Sequence, residues 1–132
     1  MKQYVVLLAT DDSAVESSVR TLAKRAECGL NCVKTSREAF STVVDHAMDG
    51  FMEQDMAVLD LDLFEGARAV LTTVAGKLPV IAITGKERPW LSAMMRRCRV
   101  RATFVKPVSP EKLRAAFECV RNLEGVAIHD VR

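Results

Sequence analysis

The chain has 132 residues, of which 49% are apolar and 27% charged. This length suits one domain with a hydrophobic core, and the composition excludes a disordered tail. No apolar run reaches the roughly 18 residues that a membrane span requires. The first apolar run leads straight into two acids without a signal-peptide cleavage site, which predicts a cytoplasmic protein with no membrane contact.

The net charge of +2 hides an uneven distribution. Residues 45–65 contain seven acids and no Lys or Arg, whereas residues 86–121 contain ten Lys or Arg against three Glu. This asymmetry suggests an acidic end that holds a metal and a basic surface that faces a partner. Four separate cysteines without paired spacing indicate reduced thiols rather than a disulfide or a metal site.

Apolar runs typical of buried strands alternate with helical patterns along the first half of the chain. We predict a strand over residues 4–9 and then a helix that begins with a capping box of Ser13 and Glu16. Gly29 ends this helix, and a short strand over residues 30–35 follows. Ser36 is predicted to cap a second helix, which places four apolar residues on its inner face (Ala39, Phe40, Val43 and Ala47).

The second half repeats the alternation. Residues 56–59 predict a third strand, and Ala67, Val70, Leu71 and Val74 mark a third helix. Residues 78–85 predict the fourth strand, followed by a helix that begins near Pro89. The apolar residues of that helix are Met94, Met95 and Cys98, with both methionines in the core. Residues 102–105 predict the fifth strand, and Ser109 and Pro110 open the last helix.

Five strands that alternate with five helices predict an α/β fold with a parallel sheet covered on both faces. Because crossovers are right-handed, the expected arrangement is the doubly wound, flavodoxin-like order 2-1-3-4-5. We expect one domain over residues 1–123. Residues 124–132 would be a C-terminal tail or the start of a linker.

Polar residues end the predicted strands, and ligands bind at the carboxyl ends of strands in this class of fold. These residues are Asp11 and Asp12, Asp60, Thr84, and Lys106. We therefore expect Asp60 at the mouth of the sheet and not in the core. Converging carboxylates are suited to Mg²⁺, and a carboxylate can act as a nucleophile toward phosphorus. The lysine and the hydroxyl would stabilise a transferring phosphoryl group.

The chain contains, in this order, an Asp-Asp pair, an Asp after an apolar strand, a Thr and a Lys-Pro. This order resembles the receiver domain of two-component response regulators. The resemblance covers residues 3–123 and implies that Asp60 accepts a phosphoryl group from a histidine kinase or phosphotransfer protein. Asp11, Asp12, Asp60 and the backbone carbonyl of Asp62 would hold Mg²⁺. Thr84 and Lys106 would sense the phosphoryl group, and the Lys106-Pro107 peptide would be cis.

The resemblance also implies a signalling switch and not an enzyme, apart from phosphotransfer to itself and self-catalysed dephosphorylation. Three positions depart from the family pattern. Phe64 replaces a proline, Gly66 comes about two residues early, and Thr103 stands where a switching Tyr or Phe is usual, with Phe104 beside it. Asp62 either tunes the hydrolysis of the phosphoryl group or is a solvated loop acid.

Two other functions stay open. One is a degenerate receiver that binds a protein without being phosphorylated. The other is a phosphatase of the haloacid dehalogenase type, which the DxD pattern of Asp60 and Asp62 resembles. The position of the acidic pair at the start of the chain argues against the phosphatase.

The basic segment predicts a docking surface for a second copy or an output partner. This surface would lie around Trp90, Arg96, Arg97, Arg101 and Arg114. Direct binding of nucleic acid is not expected, since the segment lacks interleaved aromatic residues and a helix-turn-helix pattern.

Overall fold

The structure is a computed structural model that describes residues 3–39, 41–42 and 54–130, with side chains up to residue 122. Three predicted core residues of the second helix, Phe40, Val43 and Ala47, lie outside the described residues. Ala39, the fourth member of that set, is buried.

Five parallel strands form a single sheet in the order β2-β1-β3-β4-β5, which confirms the predicted topology. The strands are β1 (Val5–Ala9), β2 (Gly29–Val33), β3 (Met56–Asp60), β4 (Val80–Thr84) and β5 (Val100–Val105). β3 includes Asp60, which the sequence placed just beyond the strand. β5 begins two residues earlier than predicted, with a shift of register beside β4 between Val80 and Ile81.

In the described part of the chain, the α-helices are α1 (Ser13–Arg25), α2 (Ser36–Ala39), α3 (Ala67–Ala75), α4 (Leu91–Arg97) and α5 (Pro110–Asp130). A short 3₁₀ helix, Leu61–Leu63, follows β3. The domain boundary at residue 123 stays a prediction, although the backbone of α5 is helical on both sides of it. Within the described ranges, no helix is long and apolar enough to cross a membrane.

Two helix starts differ from the prediction. α1 is capped by Asp12, whose Oδ1 accepts from the backbone N–H groups of Ala14 (2.9 Å) and Val15 (3.2 Å), and not by Ser13. α2 is capped by Thr35, whose Oγ1 accepts from the Glu38 N–H at 3.1 Å. In both cases an Asp or Thr one position earlier offers an oxygen at the spacing that satisfies an unpaired N–H of the first turn.

The sheet has an apolar cluster on each face. On one face, α1 and α5 pack on the strands through residues such as Val19 and Phe117. On the other face, α3 and α4 contribute Leu71 and Met94, while Met95 points outward and is 43% exposed. The prediction that both methionines lie in the core is therefore wrong for Met95. One helical turn places only one of two adjacent residues against the sheet.

Candidate functional site

The polar residues at the ends of the strands meet at one edge of the sheet. The parallel register pairs Ala9 with Leu59, Asp60 with Ile83 and Thr84 with Val105, so these strands end at a common level. The residues that follow β1 and β5, Thr10 and Lys106, lie at the same edge. The sequence predicted this convergence for Asp60, Thr84 and Lys106 but did not identify Thr10.

Asp60 is completely buried, which corrects the expectation that it lies outside the core. Its Oδ2 accepts from the Thr10 hydroxyl at 2.7 Å and from Lys106 Nζ at 2.9 Å. Its Oδ1 accepts from the Asp62 backbone N–H at 3.1 Å. The carboxylate is buried without large cost because a cation and two further donors replace the water that it has lost.

Lys106 is the cation that the acids share. Its Nζ lies 2.9 Å from Asp60 Oδ2, 3.2 Å from Asp62 Oδ2 and 3.4 Å from Asp12 Oδ2. Burial by itself would lower the pKa of Lys106, but the hydrogen bond and charge of Asp60, joined by those of Asp62, raise it well above 10.5. The ammonium therefore stays charged and holds three carboxylates together.

The two acids after β1 have different surroundings. Asp12 caps α1 with Oδ1 and faces Lys106 with Oδ2. The Val15 N–H above all, with the Ala14 N–H and Lys106, holds the pKa of Asp12 below 3.8 despite some burial. Asp11 is exposed and is not among the acids that pair with Lys106.

In this arrangement Lys106 is the cation that lies between the carboxylates. Among the residues that the structure describes, no three His, Cys, Asp or Glu side chains are grouped so that they could hold a metal ion. The ammonium of Lys106 takes the position between Asp12 and Asp60 that a cation bound by the same oxygens would need. Asp11, the other predicted ligand, lies outside this group.

Thr84 is buried at the end of β4, and its hydroxyl faces its own loop. Oγ1 donates to the Lys86 carbonyl at 2.9 Å and accepts from Arg88 Nε at 2.9 Å. Arg88 also reaches Asp62 Oδ1, at 3.3 Å. Nothing in the sequence distinguishes Arg88 beyond its place four residues after Thr84.

Asp62 is held from three sides. Burial alone would raise the pKa of Asp62, but the Gly85 backbone N–H, Lys106 and Arg88 together lower it below 3.8. A Cβ on residue 85 would lie 2.6 Å from Asp62 Oδ2, so a larger residue at this position would displace the Asp62 carboxylate. Asp62 is thus a loop acid that is exposed yet paired within the site, and its role in hydrolysis of a phosphoryl group stays a prediction.

The loop that follows Asp60 is anchored by apolar side chains. Leu61 and Phe64 are buried, so the phenylalanine at the family's proline position fills part of the core. Gly66 precedes the first turn of α3. At the other side of the site, the Lys106-Pro107 peptide is cis, as the resemblance implied.

The predicted docking surface is solvent-accessible. Arg96 and Arg97 end α4, Arg101 lies on β5 and Arg114 on α5, and all four are exposed, whereas Trp90 is half-buried. Val105, which is 46% exposed, adds an apolar residue to it. The partner that binds there stays a prediction.

No family model and no curated protein matches this sequence. Solved structures match its fold. One is a CheY-like response regulator receiver domain from Methanospirillum hungatei, with a TM-score of 0.69, 18% identity and coverage of 94% of this chain and 98% of the other. Another is a signal receiver domain of a two-component histidine kinase from Clostridium thermocellum. Its TM-score is 0.71 at 16% identity, and the match covers 90% of this chain and 98% of that one.

A third similar structure is the signal receiver domain of a modulated diguanylate cyclase from Desulfovibrio desulfuricans. Its TM-score is 0.68 at 18% identity, and the match covers 96% of this chain and 99% of that one. At such identities the likeness shows the fold, which is the CheY-like receiver fold that the sequence predicted.

Proposed function

We propose that this chain is a signalling switch of a two-component system, in which Asp60 accepts a phosphoryl group from a histidine kinase or phosphotransfer protein. The observation that carries this proposal is the buried Asp60 carboxylate, paired with Lys106 at 2.9 Å at the ligand-binding edge of the sheet. A buried acid that is paired with a cation at the ligand-binding edge of this class of sheet is a candidate chemical site.

The transfer requires one bond to form and one to break. An oxygen of the Asp60 carboxylate attacks the phosphorus of a phosphohistidine, and the P–N bond breaks with its electron pair going to the imidazole, which takes up a proton. Lys106 neutralises the charge on the phosphoryl oxygens. Attack of water on the product returns the carboxylate and inorganic phosphate.

Access to Asp60 requires the pairs above it to separate. The side chain is fully buried beneath Lys106 and Thr10, so a phosphoryl donor meets the acid only when these contacts open. A phosphoryl group then brings new negative oxygens to the site. Lys106 would pair with them, and the Thr84 hydroxyl would turn toward them.

The requirement for Mg²⁺ stays a prediction, and no step above depends on it. A cytoplasmic location and docking of a second copy or an output partner near Trp90 and Arg96 also remain predictions. The chain would act through binding and not as an enzyme with a substrate of its own, apart from the transfer and hydrolysis at Asp60.

The second candidate function is a binding module that is not phosphorylated. Two observations favour it: Lys106 already pairs with three carboxylates, and the Thr84 hydroxyl donates within its own loop. If these contacts never open, the fold serves only to present its surface. A phosphatase of the haloacid dehalogenase type has no observation in its favour.

The deciding experiment is intact-protein mass spectrometry after incubation with acetyl phosphate, with and without Mg²⁺. Wild type should gain one phosphoryl group, and the isosteric variant Asp60→Asn should gain none. Asp11→Asn should lose the gain if the metal prediction is right. No gain on a folded wild type under any condition would overturn the proposed function and favour the binding module.

A further inference from the structure

Arg88 joins the acceptor site to the start of α4. Its Nε donates to Thr84 Oγ1 at 2.9 Å, and its Nη2 donates to Asp62 Oδ1 at 3.3 Å. Its guanidinium carbon lies 6.0 Å from the centre of the Trp90 ring, within the range of a cation–π contact. We call Arg88 with these three partners the Arg88 clamp.

In the clamp, the Thr84 hydroxyl points in a direction from which it cannot donate a hydrogen bond to a phosphoryl group on Asp60. A hydroxyl has one hydrogen, and that of Thr84 goes to the Lys86 carbonyl at 2.9 Å. To donate to a group on Asp60, the hydroxyl must turn away from this carbonyl. Rotation of the O–H alone would leave the bond from Arg88 Nε intact, since the oxygen has two lone pairs. A rotation of the Thr84 side chain that carries Oγ1 toward Asp60 takes the acceptor from Arg88 Nε, so this movement of Thr84 and the release of Arg88 are a single event.

The second attachment of the clamp also depends on the acceptor. Asp62 binds Arg88 with Oδ1 and Lys106 with Oδ2, and Lys106 binds Asp60. A phosphoryl group on Asp60 attracts the Lys106 ammonium and so disturbs its pair with Asp62. Both anchors of Arg88 therefore change when Asp60 is modified.

The other end of the clamp lies in the first turn of α4. The Arg88 carbonyl accepts from the Leu91 N–H at 3.0 Å, and the Trp90 carbonyl accepts from the Met94 N–H at 3.2 Å. Movement of Arg88 therefore reaches both the ring of Trp90 and the hydrogen bonds that begin the helix. Arg96 and Arg97, in the predicted docking surface, are on the same helix.

No aromatic side chain of β5 has this position. Thr103 faces α4, with its hydroxyl 4.0 Å from Met95 Sδ. Phe104 packs against the apolar cluster on the opposite face of the sheet. The aromatic ring that senses the site from the α4 side is Trp90, and its link to Thr84 is Arg88.

We propose that Arg88 is a positioning residue that holds Thr84 in the unphosphorylated chain and transmits its release to Trp90 and α4. This inference rests on the proposed function, since phosphorylation of Asp60 is the event that opens the clamp. Arg88 need not contact the phosphoryl group for this role.

The chain has one tryptophan, so its fluorescence reports on Trp90 alone. We would treat wild type, Arg88→Gln and Arg88→Lys with acetyl phosphate and record emission and intact mass on the same samples. The matched control is Arg68→Gln, which removes an exposed arginine of α3. Wild type and the control should show a shift in Trp90 emission that grows with the phosphorylated fraction.

Arg88→Gln should gain the phosphoryl group but lose the emission shift. Arg88→Lys should also lose it, because an ammonium cannot bind Thr84 and Asp62 together as the planar guanidinium does. Thr84→Val should lose the emission shift as well. The double variant Thr84→Val/Arg88→Gln should behave like either single variant, because both substitutions remove the same contact.

The mass and the emission separate the two possible failures. A folded wild type that gains no phosphoryl group would overturn the proposed function, and the inference with it. A phosphorylated wild type without an emission shift would overturn the inference alone. So would an Arg88→Gln variant whose shift equals that of wild type.

Discussion

β3 and β4 are buried along their whole length, but their middles and their ends are held by different forces. Val58, Leu59 and Ile81 in the middles belong to the apolar clusters on the two faces of the sheet. Asp60 and Thr84 at the ends are equally buried, yet each is held by directed hydrogen bonds. One sheet thus contains an apolar core and a polar site only one residue apart.

The two regions differ in how well they tolerate substitution. Apolar contacts have no direction, so a core residue can be exchanged for another of similar volume at a cost of less than about 1.5 kcal/mol. In the polar region each donor serves a particular acceptor. Removal of one partner leaves a buried polar atom without water or protein to bind.

The largest effect should come from Lys106→Met, which keeps an unbranched side chain one atom shorter and removes the charge. Asp60 would stay buried without its cation, and we expect a loss of about 3 kcal/mol in the free energy of unfolding at neutral pH. Urea denaturation would measure it. The paired control is Leu59→Met in the apolar region, which should cost less than about 1.5 kcal/mol.

The opposite change removes the charge of Asp60 and keeps Lys106. In Asp60→Asn the buried charge is absent, and Lys106 keeps Asp12 and Asp62 as partners. The variant should therefore lose less stability than Lys106→Met. Equal losses for the two would mean that packing, and not the unpaired charge, sets the cost.

A smaller effect is expected from Thr10→Val, which preserves shape but removes a hydroxyl. That hydroxyl donates to Asp60 Oδ2 at 2.7 Å and accepts from the Asp12 N–H at 3.0 Å. The loss should be about 1–2 kcal/mol in urea denaturation. Thr72→Val, at an exposed position of α3, should change stability by less than about 0.5 kcal/mol, and a Thr10 effect of that size would contradict the importance of the polar end.

The sequence was sufficient for the fold because the apolar middles carry a strong signal. Runs such as residues 56–59 and 78–85 alternate with helical periods, and few arrangements of a parallel sheet accommodate them. The same reasoning placed Asp60, Thr84 and Lys106 at one edge. Their order along the chain and the direction of the strands determine that edge without any knowledge of side-chain contacts.

The sequence was not sufficient for the contacts within the site. Thr10 reads as a polar residue that merely follows a strand, and nothing local shows that its hydroxyl is directed at Asp60 across 50 positions of the chain. Arg88 lies in a polar loop where an exposed arginine is the ordinary expectation. The caps of α1 and α2 were misplaced by one residue, because Asp12 and Thr35 stand next to serines that are equally good caps.

The smallest expected effect is the pH dependence of stability that comes from Asp62. Burial alone would raise the pKa of Asp62, but the Gly85 N–H, Lys106 and Arg88 together lower it below the ordinary value of 3.8. A carboxyl with a lowered pKa stabilises the fold above its unfolded value and loses this contribution as the pH falls through the folded value. Asp62→Asn should therefore be less stable than wild type at neutral pH.

This deficit should shrink as the pH falls below 3.8, because wild type then loses its advantage by binding a proton. Urea denaturation of both proteins between about pH 3 and 7 would follow the difference. Since a third of the Asp62 side chain is exposed, the effect should weaken in high salt. Asp11→Asn removes an acid that is not paired with Lys106 and is the control. If its deficit has the same pH dependence, the pairing of Asp62 is not the cause.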